Sequence, residues 1–159
     1  MALTKFQRII LVSVGLVLLI TILDIKGVNM FGLIGGLGGD SYKAIETQYL
    51  QFFWSFAFAI IFILAISWYI YTKDKSETLA IFLAPTTLLL FGVEDVLFYK
   101  IQGIPFETTM EWMHNIPGVQ LVSQIMGSAT ITGIVLMVSA VVGIIISYFM
   151  IKYLQKAKW

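Results

Sequence analysis

The sequence predicts an all-α integral membrane protein, a single membrane domain over residues 1–159 that forms a bundle of four transmembrane helices. The first reason is composition: of the 159 residues, 59% are hydrophobic and only 12% are charged, whereas an ordinary soluble domain has about 25% charged residues. The second reason is that the apolar residues fall in four long runs. A helix needs about 20 such residues to cross roughly 30 Å of hydrocarbon. A water-soluble globule is therefore excluded.

The four predicted spans cover about residues 6–25, 49–71, 78–99 and 129–151. The fourth is the densest part of a longer apolar segment from Leu121 to Tyr153. The first run follows Lys5 and Arg8, as the apolar region of a signal peptide does, but residues 24–27 (Asp-Ile-Lys-Gly) offer no cleavage site of small residues. We therefore expect the first run to remain as a true span.

The distribution of lysine and arginine predicts the orientation. Seven of the ten basic residues lie in the N-terminal segment, in the connection around residue 74 and in the C-terminal segment. Because basic residues concentrate in cytoplasmic loops, we expect both termini on the cytoplasmic side of the cytoplasmic membrane. Most acids then face outward, which fits either solvated loops or an acidic site for a cation, a proton or a substrate.

Two outer connections follow from this topology. The first contains Phe31–Asp40, an apolar and glycine-rich stretch without a preceding strand or the Gly-Lys-Ser/Thr of a phosphate-binding loop. We expect it to lie on the outer leaflet, with a re-entrant segment as the alternative. The second connection is bounded by Pro105 and Pro117 and is predicted to contain an interfacial helix.

Two adjacent acids in the third run are the main candidates for function. Glu94 would lie about 24 Å from the start of that span, at 1.5 Å per residue, and so within the hydrocarbon core. Ionisable groups at such depth indicate function by default. Phe98 lies one turn beyond Glu94, and Tyr99 one turn beyond Asp95. A carboxyl backed by aromatic rings is expected to keep its proton and act as a general acid. The alternative is a helix that ends just before the acids and leaves them at the membrane surface.

A metal site is a further interpretation. Glu111 and His114 have the i, i+3 spacing that places a carboxylate and an imidazole on one helix face, but dimetal bundles use this unit twice. A mononuclear zinc or iron site would add one of the two acids of the third run. Met110 and Met113 offer soft ligands to copper(I) instead. The cofactor is left open by the sequence, and an interfacial histidine without a metal is the plainer interpretation.

Small residues recur every four positions in the fourth run, at Ser139, Gly143 and Ser147. This spacing lets helix backbones approach closely in lipid. The contact is either within the chain's own bundle or with a second copy or a partner subunit.

The segment Glu94-Asp95-Val-Leu-Phe98-Tyr99 resembles an element of the small membrane-type lycopene cyclases. That family shows two adjacent acids followed, two residues later, by a pair of aromatic residues, although the proline that usually precedes the acids is replaced here by Gly92-Val93. The resemblance implies acid-catalysed ring closure of a polyene, with Glu94 and Asp95 as candidate proton donor and carbocation stabiliser.

Three functions are consistent with these patterns. The first is a membrane-embedded acid–base enzyme for an isoprenoid or other lipid, with Glu94, Asp95 and Tyr99 as catalytic residues and Phe98 and Trp112 as the pocket. The second is a non-catalytic subunit of a membrane complex. The third is a proton- or ion-coupled carrier, which the position of the acids near one face disfavours. The expected partners are the lipid bilayer and either a second copy or partner subunits, while a net charge of +1 argues against nucleic acid.

Overall fold

In the computed structural model, residues 3–30, 40–106 and 109–156 are described, and they are helical with no strand among them. The predicted glycine-rich loop lies outside the described residues. The helices, in chain order, are α1 (Lys5–Met30), α2 (Asp40–Thr72), α3 (Lys75–Leu90), α4 (Val93–Gln102), a 3₁₀ helix (Glu111–Asn115), α5 (Pro117–Ile125) and α6 (Gly133–Lys156).

Three of these helices, α1, α2 and α6, are long and apolar enough to cross a membrane. The bent pair of α3 and α4 makes a fourth candidate if the two helices together form one span. The prediction of an all-helical chain with several helices long and apolar enough to span a membrane is confirmed for the described residues. The orientation of the termini and the interfacial position of the second outer connection remain predictions.

The predicted third span, residues 78–99, is not one continuous helix. It breaks after Leu90, and α4 leaves α3 at 63°. Gly92 occupies the left-handed region at φ 73°, which a residue with a side chain seldom adopts. A Cβ at this position would lie 2.6 Å from Leu136 Cδ1, so a larger residue would also have to displace the Leu136 side chain of α6. The break places the first turn of α4 inside the bundle.

The predicted fourth span also differs at its start. Residues 117–125 form the separate helix α5, and Gly127, at φ 65°, stands just beyond its end. The spanning helix begins only at Gly133 and continues to Lys156. The segment from residue 121 to 132 is therefore not part of helix α6.

Helix α3 packs against α1, α2 and α6. The small residues of α6 face it. Ser139 Oγ donates a hydrogen bond to the Phe91 carbonyl at 3.0 Å, and Ser147 Oγ donates to the Ala84 carbonyl at 3.3 Å. Between them, Gly143 lies directly against Phe91. In this structure the small-residue stripe belongs to a contact within the chain.

Two ion pairs join the start of α1 to the hairpin between α2 and α3. Lys5 pairs with Asp74, and the Lys5 ammonium holds the pKa of that carboxyl below its usual range. Arg8 forms a two-pronged contact with Glu77, from Nε to Oε1 at 3.1 Å and from Nη2 to Oε2 at 3.2 Å. The N-terminal segment and the α2–α3 hairpin therefore lie at one end of the bundle, which we call the basic end.

Replacing Arg8 with methionine is expected to lower the unfolding midpoint in detergent. Glu77 is only 2% exposed, and a buried carboxylate that loses its partner costs far more than the pair contributes. The double variant Arg8→Met/Glu77→Met should recover most of the loss, whereas Lys5→Met should change the midpoint little because that pair is exposed. An equal fall in the unfolding midpoint for Arg8→Met and Lys5→Met would contradict the larger contribution expected from the Arg8–Glu77 pair.

Candidate acidic site

The first turn of α4 carries the two predicted acids into the protein interior. Glu94 is 5% exposed and Asp95 is 7% exposed. Helix α4 packs against α1 on one side and α6 on another, so neighbouring residues of this turn are covered by different helices. Both carboxyls lie at a helix N-terminus, where unpaired backbone N–H groups favour negative charge. Both acids are therefore covered by other parts of the protein.

A third acid, Asp24 of α1, lies near this pair. The Glu94 carboxyl interacts electrostatically with both Asp95 and Asp24, and Asp95 interacts with Asp24. The Tyr49 hydroxyl donates to Asp24 Oδ1 at 2.5 Å and lies 3.1 Å from the Asp24 carbonyl oxygen. Three helices thus contribute to one cluster, which we call the acidic site: Asp24 from α1, Tyr49 from α2, and Glu94 and Asp95 from α4.

Gly27 of α1 makes room for the tyrosine. A Cβ at this position would lie 2.5 Å from Tyr49 Oη and 2.8 Å from Tyr49 Cε2. Gly27 follows Asp24 by three residues, so both lie on one face of α1. The close approach of the tyrosine ring to α1 is what lets its hydroxyl reach the Asp24 carboxyl.

One oxygen of the site is left unsatisfied. Glu94 Oε1 is buried and has no hydrogen-bond partner among the residues that the structure describes. Most buried polar atoms in proteins are hydrogen-bonded, and leaving one without a partner costs about 1–3 kcal/mol. An exception at a buried carboxyl therefore marks Glu94 as a candidate functional group.

Aromatic rings flank the acids in the direction that the helical spacing predicts. Tyr99 is buried, and its ring lies edge-on to Phe98, with centroids 5.8 Å apart. The Phe106 ring lies 5.2 Å from that of Tyr99. The side chain of Trp112, the other predicted pocket residue, is outside the described part of the chain. The three described rings belong to the apolar cluster that also contains Met110 and Met113.

The predicted metal ligands are not brought together by the described residues. The Glu111 side chain lies outside the description, and His114 is exposed. Met110 and Met113 are completely buried in an apolar cluster with Tyr99, so they serve the core. Among the described side chains, no group of three or more His, Asp or Glu is placed to hold a metal ion. A metal site at these positions remains a prediction.

An apolar groove of about 350 Å³ lies between α1 and α6 and reaches α4. Val93 and Leu97, which flank Glu94 in α4, line it, although Glu94 itself is not among its described lining residues. Ser13 of α1 also lines the groove, and its buried hydroxyl has no hydrogen-bond partner among the described residues. The groove offers an apolar chain a place directly beside the backbone of the acidic site.

Sequence reasoning identified Glu94 and Asp95 but missed Asp24 and Tyr49. The available signal was that Asp24 stands within an apolar run, between Leu23 and Ile25. Its meaning depends on which face of α1 meets α2 and α4, and that is a property of the packing.

No family model, no curated protein sequence and no solved structure matches this chain.

Proposed function

We propose that this protein is a membrane-embedded acid–base enzyme that protonates an isoprenoid or a similar unsaturated lipid, with Glu94 as the proton donor. The observation that carries the proposal is the buried Glu94 carboxyl, whose Oε1 has no partner among the described residues. A carboxyl in this state is available to a substrate without first breaking a protein hydrogen bond.

The proposed reaction is an isomerisation without oxidant or reductant. The Glu94 O–H bond breaks as a C–H bond forms at one carbon of a double bond, which leaves a tertiary carbocation. A second double bond of the same substrate attacks that cation and closes a ring. Loss of a proton from an adjacent carbon to a carboxylate of the site then forms the new double bond. Protons gained and lost balance, and the product has the mass of the substrate.

The residues around Glu94 have distinct roles in this scheme. Asp95 and Asp24, as carboxylates, would stabilise positive charge that develops on the substrate. The rings of Phe98, Tyr99 and Trp112 would accept the cation over their faces, since aromatic faces attract cations most strongly when water is excluded. The groove between α1 and α6 would hold the apolar chain of the substrate beside α4.

The test is conversion of linear polyenes in heavy water. The purified protein is placed in liposomes that contain lycopene, with other linear polyenes of 20 to 40 carbons as further substrates, in buffer made with D₂O. We expect a cyclised product that carries one deuterium for each ring formed, because the donated proton exchanges with solvent before transfer. Liposomes with the Glu94→Gln variant are the matched control.

A cyclised product without deuterium would contradict proton donation by the protein. Failure to convert any polyene in the panel would overturn the proposed enzyme activity. Equal product from Glu94→Gln would assign the donor elsewhere.

A second candidate function follows from the same unpartnered oxygen. In a non-catalytic subunit of a larger complex, a side chain of a partner protein would donate to Glu94 Oε1. This candidate predicts a stoichiometric partner after extraction in mild detergent, and loss of that partner in Glu94→Gln. A single species that converts a polyene by itself would exclude this candidate.

A further inference from the structure

A second groove, of about 590 Å³, lies between α2 and α3 near the basic end of the bundle. Its walls are one face of each helix, with residues at i, i+3, i+4 and i+7. The α2 wall consists of Phe62, Ala65, Ile66 and Tyr69, and the α3 wall consists of Lys75, Thr78, Leu79 and Phe82.

The groove is apolar along its length and charged at one end. The Phe62 and Phe82 rings meet edge-on, with centroids 6.3 Å apart, and Phe62 remains 57% exposed. At the hairpin end, Lys75 lines the groove. Lys73 lies beside it, with its Nζ 5.7 Å from the centroid of the Tyr69 ring. The apolar groove thus ends at two cationic side chains and a tyrosine.

Neither lysine has a carboxylate partner among the described residues, because the two ion pairs found there are those of Lys5 and Arg8. A second copy of the chain would not supply one from its described surface. Each acid whose side chain the structure describes is already hydrogen-bonded or buried: Asp24, Asp74, Glu77, Glu94 and Asp95. The described side chains therefore leave the charge at the mouth of the groove without a carboxylate, and an anion from the bilayer can supply the counter-charge.

We propose that this groove binds one anionic phospholipid, with an acyl chain between α2 and α3 and the phosphate at Lys73 and Lys75. A bilayer supplies that ligand at the required place, since helix ends with lysine and tyrosine lie at the headgroup level. Tyrosine at the mouth spans the apolar and polar parts of the lipid. The site is separate from the acidic site, because Tyr69 lies about 30 Å along α2 from Tyr49.

The experiment measures lipid retention by native mass spectrometry. The full-length protein in mild detergent is incubated with an equal mixture of phosphatidylglycerol and phosphatidylcholine that have the same acyl chains. We expect one phosphatidylglycerol to be retained in preference to phosphatidylcholine. Lys73→Gln and Lys75→Gln should each reduce that preference about fivefold, since a lysine near a membrane surface contributes roughly that factor to binding of an anionic lipid.

Two matched controls separate the groove from general effects of charge and apolar surface. Lys100, like Lys73, has its Nζ 5.7 Å from an aromatic ring centroid but lies on α4, so Lys100→Gln should keep the preference. Ile66→Trp should fill the groove and reduce retention of both lipids. Ile63→Trp, at an exposed position of α2 that does not line the groove, should not.

Three outcomes would overturn the proposal. The first is a lipid preference that does not depend on the two groove lysines: it is unchanged in both Lys73→Gln and Lys75→Gln, or it falls equally in Lys100→Gln. The second is displacement of the lipid by millimolar glycerol phosphate, which would show a headgroup site without a chain. The third is a dimer that forms when lipid is removed and is lost in Ile66→Trp, which would assign the groove to a second copy.

Discussion

Replacing Glu94 with glutamine is expected to lower the rate of polyene conversion by about 10²- to 10⁴-fold, the usual contribution of a general acid. Glutamine preserves the shape and the burial of the side chain but has no carboxylic proton to donate. Rates are measured as product formed in liposomes at equal protein content. Because the amide carries no charge into the interior, the variant should fold as well as the parent protein, and its unfolding midpoint provides that check.

Two further variants separate the donor from its neighbours. Asp24→Asn retains an oxygen that accepts from the Tyr49 hydroxyl, so it should lower the rate less than Glu94→Gln does. Tyr49→Phe removes the donor to Asp24 without changing Glu94, and it should likewise have the smaller effect. Parent-level turnover in Glu94→Gln would remove the catalytic role of this residue, and a larger loss in Asp24→Asn would transfer that role to Asp24.

Replacing Gly143 with leucine is expected to lower the free energy of unfolding by about 3 kcal/mol, at the upper end of the range for an overpacked core. A Cβ at this position would lie 2.5 Å from Phe91 Cβ. That atom belongs to the chain just before the break between α3 and α4, so α6 and α3 must separate to admit a larger side chain. The hydrogen bonds of Ser139 and Ser147 to α3 would lengthen at the same time.

The matched control is Gly15→Leu. Gly15 also lies in the middle of a membrane-spanning helix, but a Cβ there meets nothing within 4 Å. This variant should leave stability unchanged or raise it slightly, because leucine is the better helix former. Both midpoints are measured by thermal unfolding in detergent. An equal loss in the two variants would mean that the loss in Gly143→Leu does not come from contact with α3.

Composition and the length of the apolar runs were sufficient to predict the helices. A run of about 20 apolar residues has few stable alternatives in lipid, because its backbone groups must be hydrogen-bonded within the segment. The acid pair was also visible in the sequence, since an ionisable residue in such a run is expensive and rare. Glu94 and Asp95 were therefore predictable as candidates without any knowledge of the packing.

The break at Gly92 was less predictable. Apolar residues continue on both sides of it, so the length of the run indicated one span. The glycine is favoured by its positive φ and by the Leu136 side chain of α6, and only the second of these involves a residue distant in sequence.

Only the tertiary structure decided which residues share the acidic site with Glu94. Asp24 and Tyr49 are 25 positions apart and belong to different helices, yet they form a hydrogen bond at the centre of the site. In a soluble helix, the apolar stripe would show which face turns inward. Here α1, α2 and α6 are apolar on nearly every face, as expected of helices that contact lipid on one side and protein on the other. No apolar stripe therefore shows which face turns inward. The sequence by itself determined that the chain is helical and identified two of the acids, while helix packing decided which side chains meet.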